Sequence, residues 1–175
     1  MNVTRENIIV AVGAVVAVVL QVVVAPSIAL FSAQPNVLLA YVLVVAIVRP
    51  LEAGPVLPFV LGLVCDLLGT GPVGGMAFLF VLASFAASRA FAVLDNDTVF
   101  MPLTILVAAT FAVEMLYGAL LMALGLAVNP IDAFLYRALP CSLYDCVVGL
   151  VLYPLFARLL AAGAQEREMH TPRLR

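Results

Sequence analysis

Apolar residues run in long blocks along this chain, and polar positions gather in short clusters between them. The first block extends from Ile8 to about Phe31, interrupted chiefly by Gln21, Pro26 and Ser27. A membrane-crossing helix needs roughly 20 mainly apolar residues to cover about 30 Å of hydrocarbon. A secretory h-region is shorter, about 7–15 residues, and ends at a small-residue cleavage site. The block is too long for that and has no clear Ala-x-Ala site, so it reads as an uncleaved first span, residues 8–31, kinked or ended near Pro26. Two shorter blocks, 33–48 and 53–68, flank Arg49-Pro50-Leu51-Glu52, a strong turn signal. Each would rise roughly 24 Å as a helix, a little short of a full crossing. Pro35 suits the first helical position of one, and Pro55 and Pro58 fall in the first turns of the other.

A Gly-rich, uncharged link, Gly69-Thr70-Gly71-Pro72-Val73-Gly74-Gly75, leads into a fourth block at 76–94. The link Asp95-Asn96-Asp97 precedes a fifth at 99–128, long enough to tilt, with Pro102 in its first turn. After Asn129-Pro130-Ile131-Asp132 comes a sixth, 133–162, interrupted by Pro140 and Pro154. Residues 163–175 form a short polar tail. The pattern therefore predicts an all-α membrane protein of six transmembrane helices with short loops.

Composition removes the competing classes. The chain is 66% hydrophobic and 10% charged, with mean hydropathy +1.23, against about 45–50% and about 25% for a soluble domain. So few charges cannot solvate a surface this apolar, and so much hydrophobicity excludes disorder. Cys65, Cys141 and Cys146 give no disulfide framework. No basic run points to nucleic acid. Charge also orients the spans. Six crossings place Arg5, Arg49, Arg89, Arg158, Arg167, Arg173 and Arg175 on one side and Arg137 alone on the other. Basic residues accumulate on the cytoplasmic side, so both termini are expected in the cytoplasm.

Few residues can carry chemistry. No G-x-S-x-G, Walker A, H-E-x-x-H or paired C-x-x-C pattern occurs, and the single His170 lies in the tail. Cys141 and Cys146 sit about 140° apart on a helix and cannot chelate zinc alone. No cofactor or metal is expected. The informative residues are acids within the spans, Asp66, Glu114 and Asp145, each costly if exposed to lipid. Glu114 and Asp145 fall near the middles of their spans. Arg137, Cys141, Asp145 and Gly149 recur every four residues as one stripe, with Tyr117 one turn from Glu114 and Tyr144 beside Asp145. Glu114, Tyr117, Arg137 and Asp145 thus form an intramembrane polar seam. Two midplane acids without a midplane Lys, Arg or His make a poor proton relay. A buried clasp that fixes helix packing, or meets a partner's span, is the favoured reading. Asp66 stands just before the Gly-rich link, where its carboxylate is expected to accept backbone N–H bonds and hold the turn.

The order of landmarks resembles a known family. Pro35-Asn36-Val37-Leu38-Leu39 opens a span and Arg49 follows it. Gly54, the run Pro58 to Leu68 containing Gly62 and Asp66, and Pro72-Val73-Gly74 come next. This resembles the rod shape-determining protein MreD family over about residues 33–80. Its members carry a Pro-Asn/Asp start to helix 2, a Gly-x-x-x-Asp end to helix 3 and a Pro-x-Gly turn. The resemblance marks Pro35, Asn36, Gly62, Asp66, Pro72 and Gly74 as a partner-contact or structural motif. It implies a non-enzymatic scaffold of the bacterial cell-elongation machinery in the inner membrane, working beside MreC. RodA, a class B penicillin-binding protein and MreB filaments are the further partners it implies.

The resemblance also implies a fold similar to the substrate-binding subunits of energy-coupling-factor transporters, which supplies the alternative, a small-solute-binding membrane subunit. That alternative needs convergent polar groups and a lid-like loop. The hydroxyls at Ser84, Ser88, Thr104, Thr110 and Ser142 are scattered, and the loops are short. An intramembrane enzyme would need a nucleophile–base pair, which the pattern lacks.

Overall fold

The structure, a computed structural model, describes residues 5–29, 34–49, 54–93, 100–126, 129, 131 and 139–170. Among the described residues six α-helices follow one another: α1 (Arg5–Val23), α2 (Val37–Val48), α3 (Val56–Leu68), α4 (Gly75–Val93), α5 (Phe100–Ala123) and α6 (Leu139–His170). Residues 75–93 and 101–123 are each long and apolar enough to cross a membrane, and the other four helices contain shorter apolar stretches. Arg137 and Asp132 lie outside the described residues, as do 50–53, 94–99 and 171–175.

The centre of the molecule is α2. Every residue from Val37 to Ile47 is buried, so the helix has no outward face. A helix apolar on all sides finds no interface with water and packs inside. The other five helices close a ring around it in the order α1, α3, α4, α5, α6 and back to α1, and each also touches α2. Tyr41, fully inside, donates its hydroxyl to the Val10 carbonyl of α1 at 2.6 Å.

Several helix ends differ from the pattern-based expectation, each for a local reason. Asn36, not Pro35, governs the start of α2: its side chain accepts from the Leu39 N–H at 3.1 Å, so Asn36 is the N-cap and Pro35 stands outside the helix. α1 stops at Val23 and passes into a 3-10 turn, Ala25–Ile28, opened by Pro26. α5 ends at Ala123 rather than 128. There Gly125 adopts φ +71° and the Leu126 N–H bonds back to the Leu121 carbonyl at 2.9 Å, a left-handed glycine cap. α6 runs unbroken through Pro154 and continues to His170, so most of the polar stretch expected as a tail is helical. Pro154 sits on the exposed side of the helix, and the Ala-, Gln- and Glu-containing segment after Gly163 favours helix by propensity.

Candidate functional site

Asp66 stands in the last turn of α3 and is 3% exposed. One carboxylate oxygen accepts from the backbone N–H of Gly74 at 2.8 Å and of Ala77 at 3.1 Å; the other accepts from Met76 at 2.9 Å. These donors belong to the start of α4, where the first N–H groups of a helix have no partner within it. An anion there also meets the positive end of the helix dipole. The acid of one helix therefore caps the next, and the Gly-rich link is tied between them. Gly74 turns the chain at φ +98°, a conformation a side chain disfavours. The Gly75 N–H closes the turn on the Pro72 carbonyl at 3.2 Å.

Gly62 lies one helical turn before Asp66, on the same face of α3. A Cβ on Gly62 would lie 2.5 Å from the Ala77 Cα and 2.8 Å from the Met76 carbonyl oxygen. The two backbones touch here, and that contact brings Asp66 within reach of the α4 N–H groups. Tyr117 of α5 completes the enclosure, because its hydroxyl occupies the space beside Gly71 where a side chain would otherwise stand. Gly62, Asp66, Pro72 and Gly74 thus form one physical unit.

The second polar unit surrounds the start of α2. Twelve helical residues rise about 18 Å, far less than a bilayer's hydrocarbon thickness of roughly 30 Å. This buried start must find its partners within the protein, since an unpaired N–H in an apolar medium costs several kcal/mol. Three helices supply them. Asp145 of α6 accepts from the Asn36 N–H at 2.5 Å. The Gln21 amide of α1 accepts from the Val37 N–H at 2.8 Å and donates to the Pro35 carbonyl at 3.2 Å. Cys65 of α3 directs its thiol at the Asn36 side-chain oxygen, 3.8 Å away. Asp145 is fully buried, Glu114 is 5% exposed, and the two acids are close enough for their charges to interact.

Cys65 adjoins Asp66 in sequence and touches Asn36, so both units belong to one polar layer at one end of the bundle. Glu114, Tyr117 and Asp145 of the expected seam join it, while Arg137 lies outside the described residues. Asp145 falls in the second turn of the described α6, level with the start of α2, and not at mid-helix. Tyr144 does not serve it: the Tyr144 hydroxyl and the second Asp145 oxygen are both buried without a hydrogen-bond partner among the described residues. Successive residues on a helix point in different directions, which explains the failure. Pattern reasoning gave Gln21 and Cys65 no role. The usable signal was a lone amide in an otherwise apolar span, because an amide buried there requires a partner.

The family model described as rod shape-determining protein MreD matches residues 2–162. The chain belongs to the MreD family. Both polar units and all the expected motif residues fall inside the matched region. MreD proteins are shape-determining structural proteins of the membrane, acting in the rod-shape complex with other shape proteins, and membership gives this chain that role. No curated protein and no solved structure matches the chain. The similarity to energy-coupling-factor subunits, and the solute-binding alternative drawn from it, therefore rest on resemblance alone.

Proposed function

We propose that this MreD-family protein is a non-enzymatic scaffold of the cell-elongation machinery, spanning the inner membrane six times with both termini in the cytoplasm. In this role it couples MreC and the cell-wall synthase, RodA with its class B penicillin-binding protein, to cytoplasmic MreB filaments. The observation that supports the reading best is the clamped link between α3 and α4. Three backbone N–H bonds to Asp66 hold it, while Thr70 and Val73 remain exposed on its surface. A loop fixed from beneath and open above suits docking, because binding it loses little conformational freedom.

Co-purification with MreC in mild detergent tests the proposal. Val73→Asp alters only the exposed side of the link, whereas Asp66→Ala and Gly74→Leu release or strain it. The scaffold reading expects Val73→Asp to accumulate normally and lose MreC. Retention of MreC by a well-folded Val73→Asp protein would remove the link from the interface. Loss of protein in Asp66→Ala alone would assign that residue to folding. Purification of the unaltered protein should recover elongation proteins; recovery of paired ATPases would favour a transporter subunit instead.

A further inference from the structure

The ring around α2 is closed least tightly on the two sides of α1, and the seam between α1 and α6 holds a cavity of about 370 Å³. Ile8, Val12 and Val16 of α1 and Leu155 of α6 form its half-exposed rim. Ala17, Val37 and Tyr41 form its buried floor, with Gly13 between rim and floor leaving depth. The one hydroxyl in its wall, that of Tyr41, is turned away to the Val10 carbonyl. The cavity follows α1 from Ile8 to Leu20, roughly 18 Å at the helical rise, which gives a mean cross-section of about 20 Å². That is the girth of one hydrocarbon chain. A helix is about 10 Å or more across, so one turn alone would need on the order of 400 Å³.

The two ends of this slot differ in charge. At the Ile8 end, Arg158 projects from α6 one turn beyond Leu155 and is exposed. Arg49 stands at the same end of the bundle but on the α1–α3 side, its guanidinium donating to the Asn7 side-chain oxygen at 3.2 Å. At the Leu20 end stand Gln21, Asn36 and the acid Asp145. An amphiphile lying in the slot would thus meet the exposed Arg158 at one end, while Asp145 near the other is fully buried.

We propose that the α1–α6 slot is a binding site for one acyl chain of an anionic phospholipid, its phosphate headgroup at the Arg158 end. Its headgroup end is separate from the clamped link, which lies at the opposite end of the bundle. It gives the protein a means of favouring anionic membrane regions.

The chain has no Trp, so one introduced Trp reports on its own surroundings. Leu155→Trp places it on the slot rim, and Phe78→Trp places it on the exposed outer face of α4 as a control. Each full-length protein is reconstituted in phosphatidylcholine vesicles containing a few per cent of brominated phosphatidylglycerol or brominated phosphatidylcholine. One basic residue near the surface favours an anionic lipid about fivefold. Leu155→Trp is therefore expected to be quenched about fivefold more effectively by the anionic lipid, and Phe78→Trp equally by both. Adding Arg158→Gln should abolish the preference, and adding Gly13→Leu, which fills the slot, should remove the excess quenching. Equal quenching by both lipids at Leu155→Trp would show ordinary boundary lipid and overturn the proposal. No quenching at Leu155→Trp, with Phe78→Trp still quenched, would show a slot closed to lipid and overturn it too.

Discussion

A glycine tolerates substitution according to what an added Cβ would meet, and two glycines here differ in kind. At Gly62 the obstacle is the backbone of Ala77 and Met76, which cannot move without separating α3 from α4. At Gly149 the nearest atoms are the ends of the Leu106 side chain, 2.5 and 2.8 Å away, which can change rotamer. Gly62→Ala should therefore destabilise by about 1–3 kcal/mol or more, and Gly149→Ala by less than about 1 kcal/mol. Unfolding by increasing detergent denaturant in mixed micelles, followed by circular dichroism, ranks them; equal losses would contradict the close helix crossing. Asp145 offers a second comparison. Its useful contact is the bond from the Asn36 N–H, while its other oxygen has no partner among the described residues. Asp145→Asn keeps an acceptor and should stay within about 1 kcal/mol of the parent. Asp145→Leu strands a buried N–H and should lose about 1–3 kcal/mol in the same assay.

At the scale of elements, α2 shows what a short buried helix requires. Its start draws on its own cap Asn36 and on Gln21 and Asp145 from two other helices, so removing one partner should weaken the others' hold on it. Asn36→Ala should cost about 0.5–2 kcal/mol through the lost cap. Gln21→Leu should cost about 1–3 kcal/mol through the unpaired Val37 N–H. The double variant should differ measurably from the sum, by about 0.5 kcal/mol or more, because the two side chains serve adjacent donors of one helix start. Strict additivity in the mixed-micelle assay would mean the two act separately. This junction also marks the limit of what pattern reveals. The Asp66 clamp was legible because acid, glycines and turn lie within a dozen residues and follow capping chemistry. The break near Pro26 was legible for the same reason, whereas Pro55, expected in the first turns of α3, stands just before it. The pairing of Gln21 with Val37, and of Asp145 with Asn36, depends on how helices distant in sequence are placed. Nothing in local spacing fixes that placement.

For the whole molecule, the difficulty lies in the solvent. Lipid is as apolar as a protein core, so exposed Phe78 or Phe85 and buried Phe80 look alike in sequence. The enclosed position of α2 was invisible for that reason, although its existence was plain. Charge supplies the direction that hydrophobicity lacks. Arg49 binds Asn7, which puts the end of α2 and the start of α1 at one end of the bundle. Arg89 lies over the Phe85 ring, 5.2 Å from its centre, near the end of α4 and at that same end. The clamped link and the start of α2 share the opposite end. Six crossings with basic residues inside therefore predict the link to be periplasmic and the far part of α6 cytoplasmic. Thr70→Cys in the exposed link and Arg158→Cys on exposed α6 test both at once, since the native cysteines are buried or half-buried. A membrane-impermeant maleimide should label Thr70→Cys in intact spheroplasts and Arg158→Cys only after permeabilisation. The reverse pattern would invert the protein, and labelling of both in intact spheroplasts would mean an even number of crossings between them. Either result would also move the Arg158 end away from the cytoplasmic leaflet, where anionic lipid attraction for basic residues is strongest.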